Sequence, residues 1–476
     1  MTRIELSDYF NRIETKYEVD TLKVKAMHIW PIVKQTLAHI YFQSNNRRDS
    51  KKRNKHKFVI IRDSVIGLFR FFQYSILTRL FFQKTDLLFV CSGAHRELKD
   101  GSWVNKYLSL FINDTNKKSF TYIEWSNKLQ FPGQTIHDKV IRNIYMVKNT
   151  VPIFRKFIKK PQIENIKLLD KIIEDYCSKV NFEASEASVL NKIMKKLENV
   201  AVHSIMYKRI LSVCQPQTVI LVNSYKSSSY ALSYLCSSKS IPTVDVQHGG
   251  QGALNFAYSG YTSCPDTGYN SMTKYFWVWD SSSALEIKKW VDNQSYHQVI
   301  IGGNPWLTYV SQFQPQKVIK DTIRILVTLQ FESINENLYA AIKKSDQQYQ
   351  WFVRAHPRKK ESISTLSNRI EEDKLQNVDL YYSNNEWLPT LIQQCDVHIS
   401  EYSGSVIEAN ILGKHSIIIS KIGREIYSDY IENGEAFYCE HEDSILSSIE
   451  TVMQMDPLES KVLPKSQVES LFNSIT

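Results

Sequence analysis

The chain has 476 residues, of which 43% are hydrophobic and 23% charged, and this composition is typical of a globular protein. Such a length suffices for two or three domains, each with its own core. The seven cysteines are scattered and include no C-x-x-C pair. This spacing indicates neither a disulfide framework nor a zinc ribbon, and we therefore expect a reducing, cytoplasmic compartment.

Residues 1–84 are predicted to form a helical, basic N-terminal extension. The segment Leu22–Phe42 has the apolar spacing of a helix, which Pro31 interrupts. The whole chain has a net charge of +10, and the basic residues are unevenly distributed. Seven of the eleven residues Arg47–Lys57 are Lys or Arg. This run forms either a solvated loop or a contact with anionic lipid headgroups. Near such a surface, each basic side chain contributes about 1 kcal/mol of binding free energy.

The apolar segment Phe58–Phe82 follows the basic run directly and favours a membrane surface over nucleic acid, for which the chain has no recognisable module. Four charged side chains interrupt this segment, so it is not expected to span a bilayer. Residues 1–10 contain no continuous apolar run, and we expect no signal peptide. We predict a cytoplasmic protein that contacts the inner face of the membrane peripherally.

Residues 85–305 alternate between short apolar strands and amphipathic helices, interrupted by a polar, helix-rich stretch from about Lys139 to Lys208. The predicted elements are strand Leu87–Cys91, strand Thr218–Val222, helix Ser227–Ser237, strand Thr243–Gln247, strand Tyr275–Trp279 and strand Val299–Ile301.

Residues 306–476 repeat this alternation after a polar connector, Trp306–Thr322. The predicted elements are strand Ile323–Leu329, helix Asn335–Ser345, and strands Trp351–Val353, Val378–Tyr381, Val397–Ile399 and Ser416–Ile419. The pattern predicts an α/β fold with two Rossmann-like domains, each built on a parallel sheet, facing a cleft.

Three polar clusters directly follow predicted strands, where ligands bind in parallel sheets. The first contains Gln247, His248, Gly249 and Gly250. The glycines allow a ligand to approach the backbone closely, and an imidazole can take up a proton at neutral pH. The alternative is a hydrogen-bonded structural histidine in a tight turn.

The second cluster contains Arg354 and His356, followed by Pro357 and a basic turn, Arg358–Lys360. Both side chains, with the start of the next helix, suit the binding of a diphosphate. A basic surface turn remains the simpler explanation for Lys359 and Lys360.

The third cluster contains Ser400, Ser403, Gly404 and Ser405, with Glu408 about one turn into the next predicted helix. Hydroxyls and backbone N–H groups at a helix start bind phosphate, and Glu408 could accept from ribose hydroxyls. An ordinary helix cap would require only one of the serines.

Two further loops are candidates for the same site. Gly303 and Asn304 follow the strand Val299–Ile301 and form a second close-approach loop. The loop Gly93–Arg96, with Asp100 after it, either reaches the cleft from the side where a second substrate, the acceptor, would bind, or is an ordinary loop. Asp100 is a second candidate for the catalytic base.

Several signatures are absent from the sequence. It contains no D-x-D pair, so the usual carboxylates that hold a divalent metal on a sugar nucleotide are missing. It also lacks the phosphate loop, the H-E-x-x-H zinc motif and the G-x-S-x-G motif. We expect no metal and no cofactor.

The motifs Gln247–Gly249, His356–Pro357 and Ser403–Lys414 resemble those of bacterial surface-polysaccharide transferases with the GT-B fold. The resemblance extends from about Asp86 to the C-terminus. It implies that residues 85–305 hold the acceptor and residues 306–476 the nucleotide donor. It further implies that His356, Ser403 and Ser405 bind the donor phosphates and that Glu408 binds the ribose.

The choice of base rests on two related groups. Teichoic-acid polyol-phosphate transferases carry a His-Gly after a strand of the first domain, where the His acts as the catalytic base. His248 matches that position. Bacterial sialyltransferases instead place a paired acidic motif there, and its nearest counterpart, Lys99-Asp100-Gly101, lacks the first acid. The resemblance therefore favours His248 over Asp100.

These observations predict a metal-independent, inverting glycosyltransferase for capsule, lipopolysaccharide or a similar surface polysaccharide. Its donor would be a nucleotide sugar and its acceptor an oligosaccharide or a lipid-linked glycan. Three alternatives remain: a CDP-polyol phosphotransferase of teichoic-acid type, a sugar-nucleotide epimerase, which Gly303-Asn304-Pro305 also fits, and a non-catalytic scaffold.

Overall fold

The computed structural model describes residues 2–45, 57–99, 102–113, 118–126, 134–135, 141–145, 151, 153–313, 322–330, 333–356 and 362–476. The chain divides into two compact units. The first comprises Met1–Gly302 together with Glu469–Thr476, and the second comprises Gly303–Val468. The described part of residues 1–84 thus belongs to the first unit. The basic run Arg47–Lys57 lies outside the described residues, apart from the backbone of Lys57.

The first unit contains helices on both sides of a large sheet. Its described helices are α1 Arg3–Lys16, α2 Trp30–Asn45, α3 Lys57–Ser75, α4 Thr78–Phe81, α5 Ser109–Asn113, α6 Ile166–Lys179, α7 Glu186–Cys214, α8 Ser227–Ser237 and α9 Ser281–Val291. Its described strands are β1 Lys23–Val24, β2 Met27–His28, β3 Leu87–Ser92, β4 Arg96–Lys99, β5 Ser102–Asn105, β6 Phe120–Ser126, β7 Gln134–Thr135, β8 Ile141–Tyr145, β9 Ile163–Glu164, β10 Thr218–Val222, β11 Thr243–Val246, β12 Tyr275–Val278 and β13 Gln298–Ile301.

Seven of these strands form a sheet in the order β13-β12-β11-β10-β3-β6-β8, and every neighbouring pair is parallel. The central strand β10 is buried along its whole length, as expected for a parallel sheet covered on both faces. Two small three-stranded sheets, β2-β1-β9 and β4-β5-β7, accompany it.

The second unit is built on a parallel sheet of six strands. Its described helices are α10 Pro305–Val310, α11 Glu336–Lys344, α12 Ser362–Glu372, α13 Tyr382–Asn385, α14 Leu388–Gln394, α15 Ser405–Ile411, α16 Lys421–Ile426, α17 Ser428–Glu432 and α18 Glu442–Met453. Its strands are β14 Ile323–Thr328, β15 Tyr349–Arg354, β16 Val378–Asp379, β17 Val397–Ser400, β18 Ser416–Ile418 and β19 Ala436–Tyr438, in the order β16-β15-β14-β17-β18-β19.

Alternate residues of β14 face two different cores in the second unit. Ile325 and Val327 belong to a large hydrophobic cluster on one face, and Leu326 belongs to a smaller cluster on the other. This period of two is the signature of a strand buried on both sides. The last helix, α19 Lys465–Asn473, brings the chain back to the first unit, where Phe472 stacks on Phe111.

The α/β fold class is therefore confirmed, with two units that are each built on a parallel sheet. Strand Thr218–Val222 and helix Ser227–Ser237 have the predicted bounds. The stretch from about Lys139 to Lys208 is helix-rich as predicted, with α6 and most of α7, and it also contains the strand Ile141–Tyr145. One expectation was wrong, because Pro31 does not interrupt a helix. It lies at the first turn of α2, where the missing N–H has no helical partner to lose.

A buried ion pair anchors the two N-terminal helices in the core of the first unit. The Lys34 ammonium on α2 lies 2.9 Å from the Glu14 carboxylate on α1, and both side chains are fully buried. Trp30 Nε1 donates to the same carboxylate at 2.6 Å, and Lys34 Nζ also donates to the carbonyl of Gly260. Because each charge has hydrogen-bonding partners, the pair fixes both helices against the loop around residue 260.

Among the described residues, no helix is both long and apolar enough to cross a membrane.

We predict that Lys34→Met destabilises the first unit by about 3–5 kcal/mol, because it leaves the Glu14 carboxylate buried without a counter-charge. Denaturant unfolding followed by tryptophan fluorescence measures the free energy of unfolding. The double variant Glu14→Gln/Lys34→Met buries no charge and should recover most of the loss. A single variant within about 1 kcal/mol of the wild type would contradict this role of the pair.

Candidate functional site

Three loops of the first unit meet at the carboxyl edge of its sheet, where the parallel strands end. His248 follows β11, Tyr225 follows β10, and His95 lies in the turn after β3. The ring of His248 lies 5.8 Å from that of His95 and 5.9 Å from that of Tyr225, measured between centroids. The loop Gly93–Arg96, whose role the sequence leaves open, therefore lies beside His248.

His248 is held through both its backbone and its ring. The Tyr107 hydroxyl donates to the backbone carbonyl of His248 at 3.0 Å. The Tyr225 hydroxyl lies 3.4 Å from His248 Nε2, and either group can be the donor, depending on the tautomer. The imidazole is half-buried. A half-buried, oriented imidazole at a strand end can accept a proton from a bound hydroxyl.

Gln247 is a structural residue of this turn, because its side chain is fully buried and all its polar atoms bond within the protein. Its Nε2 donates to the Gly249 carbonyl at 2.9 Å and to Ser283 Oγ at 3.0 Å. Its Oε1 accepts from the Trp279 backbone N–H at 2.7 Å. These bonds fix the backbone that carries His248.

The glycines of the two predicted close-approach loops differ in the space around them. A Cβ added to Gly249 would meet no described atom within 4 Å, so its backbone is open to close approach. Gly250 accepts a hydrogen bond from Asn255 Nδ2 at 2.7 Å, which fixes the turn. By contrast, Gly303 has a φ of +74°, and a side chain there would press on Leu463. Asn304 caps helix α10, since its Oδ1 accepts from the Trp306 N–H at 3.0 Å.

A buried thiol anchors His95 on the other side of His248. Cys91 Sγ lies 3.2 Å from His95 Nδ1 and also accepts from Asn105 Nδ2 at 3.3 Å. Burial raises the pKa of the Cys91 thiol to about 12, so it stays protonated at neutral pH. It therefore orients the imidazole of His95 and is not itself a nucleophile.

The same network ends in a buried ion pair. The Tyr122 hydroxyl accepts from Asn105 Nδ2 at 2.8 Å and donates to the Glu124 carboxylate at 3.0 Å. Arg96 Nε donates to this carboxylate at 2.9 Å, and neither charged side chain is more than 6% exposed. Arg96 thus belongs to the core of the loop. Asp100, the alternative base, lies outside the described residues.

Asp245 lies in β11, three residues before His248, and nothing in the sequence motif singled it out. Its Oδ2 accepts from the Tyr258 hydroxyl at 2.8 Å, and its side chain is fully buried. The Tyr258 ring packs edge-on against Tyr225, with centroids 5.7 Å apart. Burial raises the pKa of Asp245 to about 6, and hydrogen bonds from Ser224 and Tyr258 oppose this shift.

In the second unit, Arg354 is the last residue of β15, and its guanidinium binds to the protein backbone. Its Nη1 donates to the backbone carbonyls of Ser383 at 2.8 Å and Glu386 at 2.6 Å. These bonds hold the short helix α13. His356 follows two residues later and is half-buried, whereas Pro357 and the basic turn Arg358–Lys360 lie outside the described residues.

The serines of the third cluster are divided between the interior and the loop surface. Ser400 and Ser405 are buried, and their hydroxyls both bond to Thr328 Oγ1, at 3.0 Å and 2.9 Å. Ser403, Gly404 and Glu408 are half-buried. Ser400 and Ser405 thus hold the loop in place, and Ser403, Gly404 and Glu408 are the members of the cluster that a ligand can reach.

His398 completes the network beneath this loop. Its Nε2 lies 3.0 Å from Thr328 Oγ1 and its Nδ1 lies 2.8 Å from Ser416 Oγ. Burial lowers the pKa of His398 to about 3, so the ring is neutral at physiological pH. A neutral imidazole has one donor and one acceptor, which suits a hydroxyl on each side.

Within the part of the chain that the structure describes, no three His, Cys, Asp or Glu side chains are grouped so that they could hold a metal ion.

No family model matches the chain, and its sequence matches no curated protein. Solved structures with a similar arrangement include the UDP-GlcNAc 2-epimerase of Methanocaldococcus jannaschii in complex with UDP-GlcNAc and UDP, at 11% identity and a TM-score of 0.48 over 82% of this chain and 99% of that one. The glycotransferase of kitacinnamycin has 9% identity and a TM-score of 0.45, over 82% of this chain and 95% of that one. Likeness at this level carries no argument about activity, which has to rest on the residues of this chain.

We predict that Asp245 makes the stability of the first unit depend on pH. Between about pH 4 and pH 6 the folded chain keeps a proton that the unfolded chain has lost, so stability falls as the pH rises through this window. The loss should be about 2–3 kcal/mol, at 1.36 kcal/mol per pKa unit.

Asp245→Asn should lack this loss, and the exposed Asp292→Asn serves as its control. Urea unfolding at about pH 4.5, inside the window, and at about pH 7.5, above it, measures the difference. Parallel pH profiles for the wild type and Asp245→Asn would contradict the prediction.

Proposed function

We propose that this chain is a metal-independent, inverting glycosyltransferase of the GT-B class. Its donor would be a nucleotide sugar, and its acceptor an oligosaccharide or lipid-linked glycan of a bacterial surface polysaccharide. The observation that carries the proposal is the oriented, half-buried imidazole of His248 at the carboxyl edge of a parallel sheet, between Tyr225 and His95.

In the proposed reaction, His248 removes the proton from an acceptor hydroxyl as the oxygen attacks the anomeric carbon of the donor sugar. A new C–O bond forms, the bond from the anomeric carbon to the nucleotide diphosphate breaks, and the diphosphate leaves with the electron pair. The proton ends on the imidazole. A positioned base of this kind contributes about 10²–10⁴-fold to the rate.

On the donor side, we propose that His356 and Ser403 bind the diphosphate and that Glu408 binds the ribose. Three arguments support this assignment: the residues follow parallel strands, they are half-buried, and they resemble the transferase motifs. Arg354, Ser400, Gly404 and Ser405 would shape these loops, since Arg354, Ser400 and Ser405 bond within the unit. Positive charge and N–H groups of the protein would stabilise the leaving diphosphate.

The alternatives differ in the donor they consume and the product they release. A CDP-polyol phosphotransferase would use His248 on CDP-glycerol or CDP-ribitol and release CMP. An epimerase would convert a nucleotide sugar without an acceptor. A non-catalytic scaffold would consume none of these donors.

We predict that His248→Asn lowers the turnover by about 10²–10⁴-fold and leaves the Kd for the donor unchanged, because a base acts only in the chemical step. His356→Ala should instead weaken donor binding. Nucleotide release from a panel of UDP-, GDP-, CMP-, dTDP- and CDP-linked donors measures turnover, and calorimetry measures the Kd.

The exposed His441→Ala is the matched control and should behave as the wild type. If His248→Asn keeps wild-type turnover, His248 is not the base. If no donor of the panel binds, the transferase proposal fails.

We further propose that the first unit contacts an anionic membrane surface through helices α3 and α4. The support is a stripe of exposed apolar side chains at helical spacing on α3, formed by Ile61, Val65, Phe69 and Phe72. It is followed by exposed Ile76 in the turn and by Leu80 on α4, which is 75% exposed. Exposed apolar surface of this extent is a mark of an interaction site.

A second exposed segment adjoins this stripe. Phe154 packs on Phe71 of α3 with ring centroids 4.2 Å apart, and Phe157 beside it is 80% exposed. Lys156, Lys159 and Lys160 surround Phe157 and are exposed. Residues 57–85 contain one acid, Asp63, against five Lys and Arg residues, and residues 151–163 contain no Asp or Glu, so the net charge of both segments complements an anionic lipid surface.

We predict that the full chain sediments with vesicles containing about one-third anionic phospholipid, and that Phe69→Glu/Leu80→Glu abolishes this binding, because it places charge on the apolar stripe. Leu285→Glu is the matched control, since Leu285 is a 56% exposed leucine on helix α9. Equal loss in the control, no binding by the wild type, or self-association through the same residues in light scattering would contradict the proposal.

A further inference from the structure

A cavity of about 460 Å³ lies in the first unit between α2, α7 and the turn after β10. Helix α7 contributes Lys192, Lys195 and Lys196 to its lining, and the turn contributes Tyr225 and Lys226. Of these residues, Tyr225 also contacts His248. The cavity therefore adjoins the candidate site around His248 and has a lining of its own.

The lining concentrates positive charge. Four lysines converge on the cavity, and the described residues that line it include neither Asp nor Glu. Burial, and after it the charge of Lys226, lowers the pKa of Lys196 to about 8. His39, which lines the cavity from α2, has a pKa lowered first by burial and then by the charges of Lys196 and Lys192.

Converging like charges raise the free energy of the folded chain unless an anion offsets them. A single carboxylate carries one negative charge and is matched best by the planar fork of an arginine. A diphosphate carries more charge on several oxygens, and lysines bind phosphate oxygens as point charges. The lysine-rich lining therefore suits a diphosphate better than a carboxylate.

Tyr225 links this cavity to His248. Its backbone carbonyl accepts from Lys196 Nζ at 3.4 Å, and its hydroxyl lies 3.4 Å from His248 Nε2. One residue thus borders both the cluster of lysines and the proposed base. A ligand held by the lysines would lie one side chain away from the imidazole that acts on the acceptor.

We propose that this cavity binds a diphosphate group of the acceptor substrate, an inference that rests on the transferase function proposed above. The acceptor would be a glycan attached to an organic diphosphate. The lysines would hold the diphosphate, and Tyr225 would stand between it and the sugar hydroxyl that His248 deprotonates.

The test is calorimetric binding of inorganic pyrophosphate to the full chain. Lys195→Ala and Lys196→Met should each raise the Kd about tenfold or more, because each removes one charged contact. Lys195 is exposed, so its removal should not affect folding, and Lys196→Arg should restore binding. Orthophosphate, with a single phosphorus, should bind about tenfold more weakly than pyrophosphate.

Two controls locate the binding. Lys239→Ala removes an exposed lysine outside the cavity and should leave the Kd for pyrophosphate unchanged. His356→Ala alters the proposed donor residues, and it should remove only a second binding event that Lys195→Ala does not affect. Absence of binding by the wild type, an equal effect of Lys239→Ala, a loss confined to His356→Ala, or equal affinity for orthophosphate would each overturn the proposal. Because the measurement uses pyrophosphate alone, it can succeed even if no donor is consumed.

Discussion

The parallel direction of every strand in the two large sheets is the constraint on which the candidate residues depend. Because all strands of one sheet end at the same edge, loops that are far apart in the chain meet there. In the first unit this constraint brings His95, in the turn after β3, to His248, after β11, with ring centroids 5.8 Å apart. In the second unit it brings Thr328 to Ser400 and Ser405.

Buried, hydrogen-bonded polar side chains lie beneath the loops at the carboxyl edge of the sheet in each unit. Asp245 and Tyr258 lie below His248 in the first, and Thr328 and His398 lie below the serine loop in the second. Burying such groups costs free energy unless they are hydrogen-bonded, and the bonds they make fix the loops above them. The pKa shifts of Asp245 and His398 are caused by this burial. Both residues act by fixing the loops, and neither needs to touch a substrate.

Much of the fold was predictable from the sequence, because each central strand is a short apolar run between turn residues. Strand Thr218–Val222 illustrates this, since it is buried on both faces and has no competing helical spacing. Strand Ile141–Tyr145 was missed because its residues IRNIY carry no clear alternation. The position of His248 was predictable from the strand before it, but its partners Tyr107 and Tyr225 were not, since their proximity is set by the topology. Ser400 and Ser405 were predicted to bind phosphate, because the sequence does not show that both hydroxyls form hydrogen bonds with Thr328 Oγ1.

The central claim is that His248 assists a single displacement at the anomeric carbon of a nucleotide sugar. The most direct measurement is the NMR spectrum of the full chain's reaction with a donor of the active nucleotide class and a glycan acceptor. The account predicts stoichiometric release of the nucleoside diphosphate, or of CMP from a CMP-sugar, and a glycosidic bond of inverted anomeric configuration. Retained configuration, or conversion of the donor sugar without any acceptor, would contradict it.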